Sequence, residues 1–211
     1  MAGNPAGPEP LDRGAVEAAV AALGRGEAIV LPTDTVYGVA VRLSTPGATR
    51  ILSALKARSP EQSLAVLVSS LEQAQTLIEP PSLAAQRLMA AFWPGPLTLV
   101  LRRRPELAHL ELGGVDSTIG VRWPAHRLVT ELASRLGPIV ATSANRHGQR
   151  TPATAAEAAD ALAGPVGAVI AGGLLDGLPS TVVDCSTADH RILREGAVTI
   201  AEISLAAEDD P

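Results

Sequence analysis

Short apolar runs alternate with segments of helical spacing along most of the chain. The clearest runs of strand length occupy residues 28–32, 64–68, 97–101, 138–141 and 166–170. Strands that are apolar along their whole length are typical of a sheet with helices on both faces. The pattern therefore predicts an α/β protein rather than a sandwich of two sheets.

Helices are predicted in the segments between these strands. Asp12 can cap a first helix that ends at Gly24, and Thr45 or Thr49 opens a second helix that ends around Lys56. The remaining predicted helices start at Ser70, at Ser82 and at Thr154, or span residues 124–136. Three further strands are predicted at residues 117–122, 180–184 and 191–194.

Length and composition favour a single domain. With 211 residues the chain can bury a sizeable core, and no apolar run is near the length that crosses a bilayer. Residues 1–11 lack the features of a signal peptide and are expected to form a flexible tail. The domain is expected over residues 12–206, with an acidic tail at 207–211. The single cysteine, Cys185, excludes an internal disulfide, so a reducing cytoplasm is the expected location.

Charge limits the kind of ligand that the chain can attract. The formal net charge is −5, so the surface as a whole does not attract nucleic acid. Sixteen of the 17 basic residues are arginine, and the lysine is Lys56, two positions before Arg58. A lysine ammonium is a compact charge that suits a phosphate oxygen in a narrow site. The alternative is that both cations merely oppose the dipole at a helix end. As a lysine at a helix end, Lys56 is expected to be dispensable to packing, so its replacement should cost activity and leave the fold intact.

Hydroxyl and carboxylate groups follow the first predicted strand at a tight turn. The strand ends at Pro32, and Thr33, Asp34, Thr35 and Tyr37 come directly after it. A turn of this composition beside a sheet is suited to line a pocket. Alternatively, the threonine and aspartate side chains satisfy only the backbone of their own turn.

Two later segments are candidates for anion binding. Alternation in the strand at 117–122 places Thr118, Gly120 and Arg122 on one face. An arginine at the end of such a strand is suited to grip a carboxylate with its planar fork. Residues 142–145, with the sequence TSAN, follow a buried strand and are expected to offer N–H groups and hydroxyls to a phosphate.

Two other segments are given structural roles. Arg102, Arg103 and Arg104 end a strand and are expected to guard an edge of the sheet. Residues 105–114 have the weakest pattern in the chain and are expected to form a mobile loop.

Several classes of chemistry lack their sequence signature. No GxxxxGKS, GxxxxGKT or GxGxxG segment is present, and neither an HExxH pair nor a GxSxG elbow occurs. The four histidines lie far apart, which argues against a zinc site. Few aromatic residues are available to stack on single-stranded nucleic acid. The remaining polar groups favour a small, multiply anionic ligand, with a phosphorylated nucleotide as the first candidate.

Seven motifs occur along the chain in a characteristic order. They are PTDTVYG at 32–38, KAR at 56–58, WPGPLTLVL at 93–101, STIGVRWPAH at 117–126, PIVATSAN at 138–145, STVVD at 180–184 and ILREG at 192–196. In this order they resemble the YrdC-like threonylcarbamoyl-AMP synthases, over roughly residues 12 to 200. The resemblance implies one α/β domain of the short type, with a strongly twisted mixed sheet flanked by helices around a concave basic cleft.

The reaction implied by this resemblance joins L-threonine, bicarbonate and ATP into threonylcarbamoyl-AMP and pyrophosphate. The product serves the threonylcarbamoyladenosine modification of tRNA. The implied partner is therefore a threonylcarbamoyl transferase complex that acts on tRNA, with direct tRNA binding left open and no membrane involved. Mg²⁺ is implied on the phosphates of ATP, without an assigned protein ligand.

The resemblance also implies roles for individual residues. Thr35, Arg122 and Ser180 would hold threonine. Lys56 and Arg58 are the implied catalytic cations, which neutralise charge on the phosphates. The implied nucleotide-binding residues are Lys56, Arg58, Gln62, Thr118, Ala141, Ser143, Thr151 and Arg194.

The sequence departs from the family pattern beside two of these residues. Glu195 replaces a common proline and places an acid next to Arg194, a proposed phosphate ligand. Asp34 stands next to Thr35, where glutamate or another residue is usual.

Two alternative functions remain open. An RNA-binding module could use a basic cleft for a phosphate backbone. A related enzyme could form carbamoyl-AMP from carbamoyl phosphate, but the zinc-finger and acylphosphatase segments of such enzymes are absent from this sequence.

Overall fold

The computed structural model describes residues 12–146 and 148–208. The expected flexible tail at residues 1–11, and residues 209–211 of the expected acidic tail, lie outside the described residues. Within the described part, helices and strands alternate as the apolar pattern predicts.

Seven α-helices and one short 3-10 helix occur in the described residues. The α-helices are α1 (Arg13–Gly24), α2 (Ala48–Lys56), α3 (Leu71–Gln75), α4 (Leu83–Phe92), α5 (Arg127–Leu136), α6 (Ala155–Ala161) and α7 (Ile200–Ala207). The 3-10 helix covers Pro105–Leu107. The strands are β1 (Ile29–Leu31), β2 (Gly38–Arg42), β3 (Ala65–Leu67), β4 (Leu97–Arg102), β5 (Thr118–Arg122), β6 (Ile139–Ser143), β7 (Ala168–Val169), β8 (Thr181–Asp184) and β9 (Arg191–Arg194).

Side-chain caps fix where several helices begin. Oδ1 of Asp12 accepts a hydrogen bond from the Gly14 N–H at 2.8 Å, so the predicted start of α1 is confirmed. Ser70, Ser82 and Thr154 likewise cap α3, α4 and α6, as the sequence predicts.

The second helix begins differently from the prediction. α2 starts after Gly47, whose backbone has a φ of 69°, and no threonine caps it. Thr49 lies inside the helix, and its hydroxyl donates to the carbonyl oxygen of Glu111. The Thr49 hydroxyl, which the sequence pattern assigned to a helix cap, therefore binds a residue that is distant in sequence.

Two other helix boundaries also differ. α5 begins at Arg127 rather than near Pro124. The apolar pattern does not predict α7, which begins after Thr199 with a reciprocal cap between Thr199 and Glu202.

The strands of the described residues form one mixed sheet. Their order is β7-β1-β2-β6-β3-β5-β4-β8-β9. The pairs β1–β7, β3–β5 and β4–β8 are parallel, and the other neighbours are antiparallel. β4 lies in the interior between β5 and β8. The prediction that Arg102, Arg103 and Arg104 guard a sheet edge is therefore wrong.

Arg103 instead organises the segment that follows β4. Its side chain is buried, and its guanidinium donates to the carbonyl oxygens of Leu110, at 2.7 Å, and of Asp116. Leu112 is also buried, and its carbonyl oxygen accepts from the Leu64 N–H at 2.9 Å. The segment that was expected to be a mobile loop is thus fastened to the core at several points.

Helices cover both faces of the sheet, as predicted. On one face, α1 and α5 pack over β1, β2 and β6 around residues such as Leu23, Leu132 and Ile139. On the other face, α2, α4, α6 and α7 contribute to a larger core. Beside α5 on the first face, strands β3, β5, β4 and β8 carry side chains that line a cavity.

Candidate active site

The cavity lies over strand residues with very small side chains. Ala65 of β3 is the direct neighbour of both Ala141 of β6 and Gly120 of β5. Because none of these residues carries more than a methyl group, they leave space above the sheet. The resulting cavity has a volume of about 210 Å³.

Most of the predicted site residues line this one cavity. They are Thr35, Thr118, Arg122, Ala141, Ser143, Ser180 and Arg194. The alternation predicted for β5 is confirmed, since Thr118, Gly120 and Arg122 are all lining residues. The cavity lining does not include the other four predicted residues, which are Lys56, Arg58, Gln62 and Thr151.

Arg122 is held rigidly from three directions. Its Nε group donates to the carbonyl oxygen of Gly95 at 3.0 Å, and Nη1 donates to Oγ1 of Thr35 at 3.1 Å. Nη2 donates to Oδ1 of Asp34 at 2.6 Å. Burial lowers the pKa of Arg122, and the charge of Asp34 opposes that shift. The guanidinium is therefore a fixed positive group in the cavity wall.

The turn after β1 has both roles that its composition suggested: its polar side chains satisfy the backbone of the turn and line the cavity. Oγ1 of Thr33 accepts from the N–H groups of Thr35 and Val36, both at 3.1 Å, and donates to the Val36 carbonyl oxygen at 2.7 Å. Thr33 therefore satisfies the backbone of its own turn, and it also lines the cavity. Oγ1 of Thr35 lies 3.0 Å from Oγ1 of Thr33 and accepts from Nη1 of Arg122.

A second polar group forms at the start of β8. Oγ of Ser180 lies 2.9 Å from Oγ1 of Thr98, a lining residue that the sequence analysis did not single out. Nη2 of Arg194 donates to the Ser180 carbonyl oxygen at 2.7 Å and to its Oγ at 3.2 Å. The sequence signals for Thr98 are its place within the motif at 93–101 and on the same strand face as Val100.

Glu195 does not neutralise Arg194. Its Oε1 accepts from the Ile200 N–H at 3.2 Å, at the beginning of α7. A carboxylate is favoured at that helix end by the helix dipole. The acid next to Arg194 in sequence therefore has a partner of its own.

Lys56 is not a free cation, because its side chain is buried and its ammonium is hydrogen-bonded to the protein backbone. It is 3% exposed, and its Nζ donates to the carbonyl oxygens of Ser143 and, at 2.6 Å, of Asn145. Nζ also lies 3.0 Å from Oδ1 of Asn145. Burial, with help from the charge of Arg58, lowers the pKa of Lys56 to about 8. The expectation that Lys56 is dispensable to packing is therefore wrong.

The segment at 142–145 differs from the predicted phosphate nest. Its Ser143 and Asn145 carbonyl oxygens face the ammonium of Lys56. The Ala144 N–H donates to the carbonyl oxygen of Tyr37 at 2.9 Å, so it is already engaged. Ser143 is still a lining residue of the cavity, and its Oγ donates to Oδ1 of Asn145 at 2.5 Å.

Arg58 has polar atoms that lack a partner. Its Nε and Nη2 are buried without a hydrogen bond, and burial lowers its pKa. Ala57, between the two cations, has a φ of 49°, an unusual conformation for a residue other than glycine. Such strain is often found at functional sites. A buried guanidinium with unused N–H groups is well suited to receive an anion.

The last two predicted residues do not line the cavity. Gln62 is half-buried, and it precedes Ser63, which does line the cavity. A Cβ atom at Gly113, another lining residue, would come 2.5 Å from the Gln62 carbonyl oxygen. Thr151 is half-buried in the segment between β6 and α6.

Tyr37 positions a segment that leads into the cavity. Its ring is fully buried, and its hydroxyl donates to the Gly173 carbonyl oxygen at 2.8 Å and accepts from the Gly172 N–H at 2.9 Å. This turn precedes Ser180 on the chain. The sequence marks Tyr37 as polar but does not indicate its partners.

Metal and thiol chemistry find no support among the described residues. Residues 12–146 and 148–208 contain no group of three or more His, Cys, Asp or Glu side chains that could hold a metal ion. Cys185 is buried, and burial, with the charge of Asp184, raises the pKa of its thiol to about 11. A thiol of this kind is a poor nucleophile near neutral pH. In the same part of the chain, no helix is long and apolar enough to cross a membrane.

Fold and cavity together define an α/β protein whose mixed sheet presents arginine and hydroxyl side chains to one cavity. The chain belongs to the Sua5/YciO/YrdC family, because the model of that family, described as telomere recombination, matches residues 21–196. The resemblance found in the sequence motifs is thereby confirmed.

Individual relatives agree with this membership. A relative from Mycobacterium leprae is 37% identical over 205 residues, which cover 94% of this chain and 90% of the relative. The threonylcarbamoyl-AMP synthase of Vibrio campbellii is 34% identical over 184 residues, covering 85% of this chain and 98% of that protein. The structure of Pyrococcus abyssi Sua5 complexed with L-threonine matches with a TM-score of 0.85 at 31% identity, over 94% of this chain and 58% of that chain. The α/β fold with one mixed sheet is confirmed by this likeness.

Proposed function

We propose that this chain is an L-threonylcarbamoyladenylate synthase, a nucleotidyltransferase that joins L-threonine, bicarbonate and ATP. The observation that carries the proposal is the fixed guanidinium of Arg122 in a cavity that also contains Thr35 and Ser180. Membership in the family and the threonine complex of P. abyssi Sua5 support it.

In this proposal, Arg122 binds the carboxylate of threonine. A guanidinium has more N–H groups than the three contacts to Gly95, Thr35 and Asp34 use. The remaining groups can form charge-assisted hydrogen bonds to a carboxylate. The hydroxyls of Thr35 and Ser180 would then orient the small amino acid beside Arg122.

The phosphates of ATP would lie on the side of the cavity formed by the end of β6. Ser143 lines the cavity there, and its carbonyl oxygen is bound by Lys56. Arg58, with buried and unpartnered N–H groups, would bind a phosphate oxygen directly. Arg194, at the end of β9, would supply a further cation. The proposed nucleotide site is completed by Gln62, Thr118, Ala141 and Thr151.

The reaction then depends mainly on how the substrates are positioned, and no protein side chain has to act as a general base. Bicarbonate loses hydroxide to supply carbon dioxide, and the neutral amine of threonine adds to that carbon through a new N–C bond. The amine proton and the hydroxide combine as water, so threonine and bicarbonate give a carbamate and water. A carbamate oxygen attacks the α-phosphorus of ATP, the bond from that phosphorus to the bridging oxygen breaks, and pyrophosphate leaves. Lys56 and Arg58 would offset the negative charge that develops on the leaving group.

Mg²⁺ fits this proposal as an ion carried by the nucleotide. The described residues offer no cluster of metal ligands, and Mg²⁺ commonly binds phosphate oxygens and water with few protein ligands. When bound, the ion would add positive charge at the β- and γ-phosphates. Arg194, a lining residue, and Arg58, whose buried N–H groups lack a partner, would orient the complex of ATP and metal.

The product is a reactive mixed anhydride, so another enzyme must consume it. We propose that a threonylcarbamoyl transferase complex that acts on tRNA consumes the product. Direct binding of tRNA to this chain belongs to the same proposal.

Pyrophosphate release tests the function. The purified chain is incubated with ATP, Mg²⁺ and bicarbonate, and each amino acid is added in turn. Release that depends on both threonine and bicarbonate is expected. Release without regard to threonine would contradict the proposal, and salt-sensitive retention of tRNA without turnover would favour the RNA-binding alternative.

A further inference from the structure

Asp34 stands behind the arginine that the proposed function assigns to the threonine carboxylate. Its Oδ1 accepts from Nη2 of Arg122 at 2.6 Å, and the two side chains are only 13% and 7% exposed. Arg122 is a lining residue of the cavity, whereas Asp34 is not. Asp34 therefore contacts the guanidinium from the side away from the ligand.

The second oxygen of this carboxylate is left without a partner. Oδ2 of Asp34 is buried and forms no hydrogen bond, which is unfavourable for a charged group. His126 is close enough for the Asp34 charge to act on its ring, yet its buried Nδ1 is also without a partner. The Asp34 carboxylate is thus oriented for its contact with Arg122, while its second oxygen has no partner.

The remaining anchors of Arg122 are weaker or are shared with the ligand. The Gly95 carbonyl oxygen holds Nε at 3.0 Å, and the Thr35 hydroxyl holds Nη1 at 3.1 Å. The proposed function uses the same Thr35 hydroxyl for threonine. When threonine engages that hydroxyl, Asp34 and Gly95 are left to keep the guanidinium plane in place.

We propose that Asp34 is a positioning residue that aims the free N–H groups of Arg122 at the substrate carboxylate. The inference rests on the proposed function, and it adds a residue whose own side chain stays out of the cavity. It acts through a short charge-assisted hydrogen bond, which is directional as well as strong. Loss of Asp34 should therefore weaken threonine binding without altering the phosphate chemistry.

The experiment compares two variants at Asp34 with a matched control. Asp34→Ala removes the acceptor, whereas Asp34→Asn keeps a similar shape and an amide oxygen that can accept the same hydrogen bond. Glu17→Ala removes a carboxylate that pairs with Arg135 at the same 2.6 Å distance, but on the exposed surface. Threonine KM, ATP KM and kcat are measured from pyrophosphate release, together with the melting temperature.

Asp34→Ala is expected to raise the threonine KM roughly tenfold, with kcat and the ATP KM within about twofold of wild type. Asp34→Asn should recover most of the lost affinity, and Glu17→Ala should leave all three constants unchanged. An unchanged threonine KM in Asp34→Ala, or an Asn variant no better than the Ala variant, would overturn the inference. So would equal losses in threonine and ATP affinity, which indicate general damage to the fold.

Wild-type protein separates the two proposals. If it releases no pyrophosphate in response to threonine, the proposed function fails before Asp34 is tested. If wild type is active and the Asp34 variants bind threonine normally, the inference about Asp34 fails and the function stands. Titration of threonine by calorimetry gives the same comparison without turnover.

Discussion

The ammonium of Lys56 and the carbonyl oxygen of Asn145 lie 2.6 Å apart and join the end of α2 to the segment after β6. The same ammonium donates to the carbonyl oxygen of Ser143, a lining residue of the cavity. Lys56 thus combines a structural bond with a contact to a residue of the cavity wall. Its replacement should affect stability as well as activity.

We expect Lys56→Ala to lower the free energy of unfolding by about 1–3 kcal/mol, because partly buried carbonyl oxygens lose their donor. Pyrophosphate release should fall by more than the loss of folded protein explains. Urea unfolding and turnover at saturating substrates measure the two effects. Lys56→Met is the matched control for packing, since it keeps an unbranched chain without the charge. Stability and turnover equal to wild type in both variants would remove Lys56 from both roles.

The pKa of Lys56 predicts opposite effects of pH on activity and stability. Burial lowers this pKa to about 8 from an ordinary value of 10.5. Raising the pH through about 8 removes the charge in the folded protein, so kcat/KM for ATP should fall. Between about 8 and 10.5 the unfolded chain binds more protons than the folded one, so the Lys56 contribution to stability should rise with pH.

Pyrophosphate assays and urea unfolding at matched pH values check both slopes. Lys56→Met should flatten both dependences in this range, because the titrating group is gone. Parallel changes in activity and stability would show that another group controls the pH profile.

Replacement of Arg122 should act mainly on threonine. Arg122→Lys keeps one positive charge beside Asp34 but cannot span the acceptors of Gly95, Thr35 and Asp34 at once. We expect the threonine KM to rise roughly tenfold or more, with a smaller change in the ATP KM. Initial rates over a threonine titration test this. Arg135→Lys, on the exposed surface, is the control, and a threonine KM that stays at the wild-type value would contradict the carboxylate role.

The sequence predicted the parts of the site that depend on local geometry. Alternation along β5 correctly grouped Thr118, Gly120 and Arg122, because side chains in a strand point to opposite faces in turn. The caps Asp12 and Ser70 were also found, since each bonds to a residue within three positions. These features need no knowledge of the rest of the fold.

Contacts between distant segments could not be predicted in the same way. Thr98 meets Ser180 because β4 and β8 are parallel neighbours, a pairing that no local pattern encodes. The burial of Lys56 follows from the position of the segment after β6 against α2, whereas the pattern at its own helix end suggested a lysine dispensable to packing. The interior position of β4, which overturned the edge role of Arg103, is likewise a property of the whole sheet.

Tyr37 provides a test of how the turn before β8 is held. Tyr37→Phe keeps the buried ring but removes the hydroxyl that bonds Gly172 and Gly173. We expect the free energy of unfolding to fall by about 1–3 kcal/mol, because a partly buried N–H and a carbonyl oxygen lose their partner. The threonine KM should also rise, since this turn leads to Ser180 in the cavity. Urea unfolding and threonine titration measure the two effects. Thr187→Val removes an exposed hydroxyl and should change stability by less than about 0.5 kcal/mol; an equal effect of both variants would mean that the Tyr37 hydroxyl does not hold the turn.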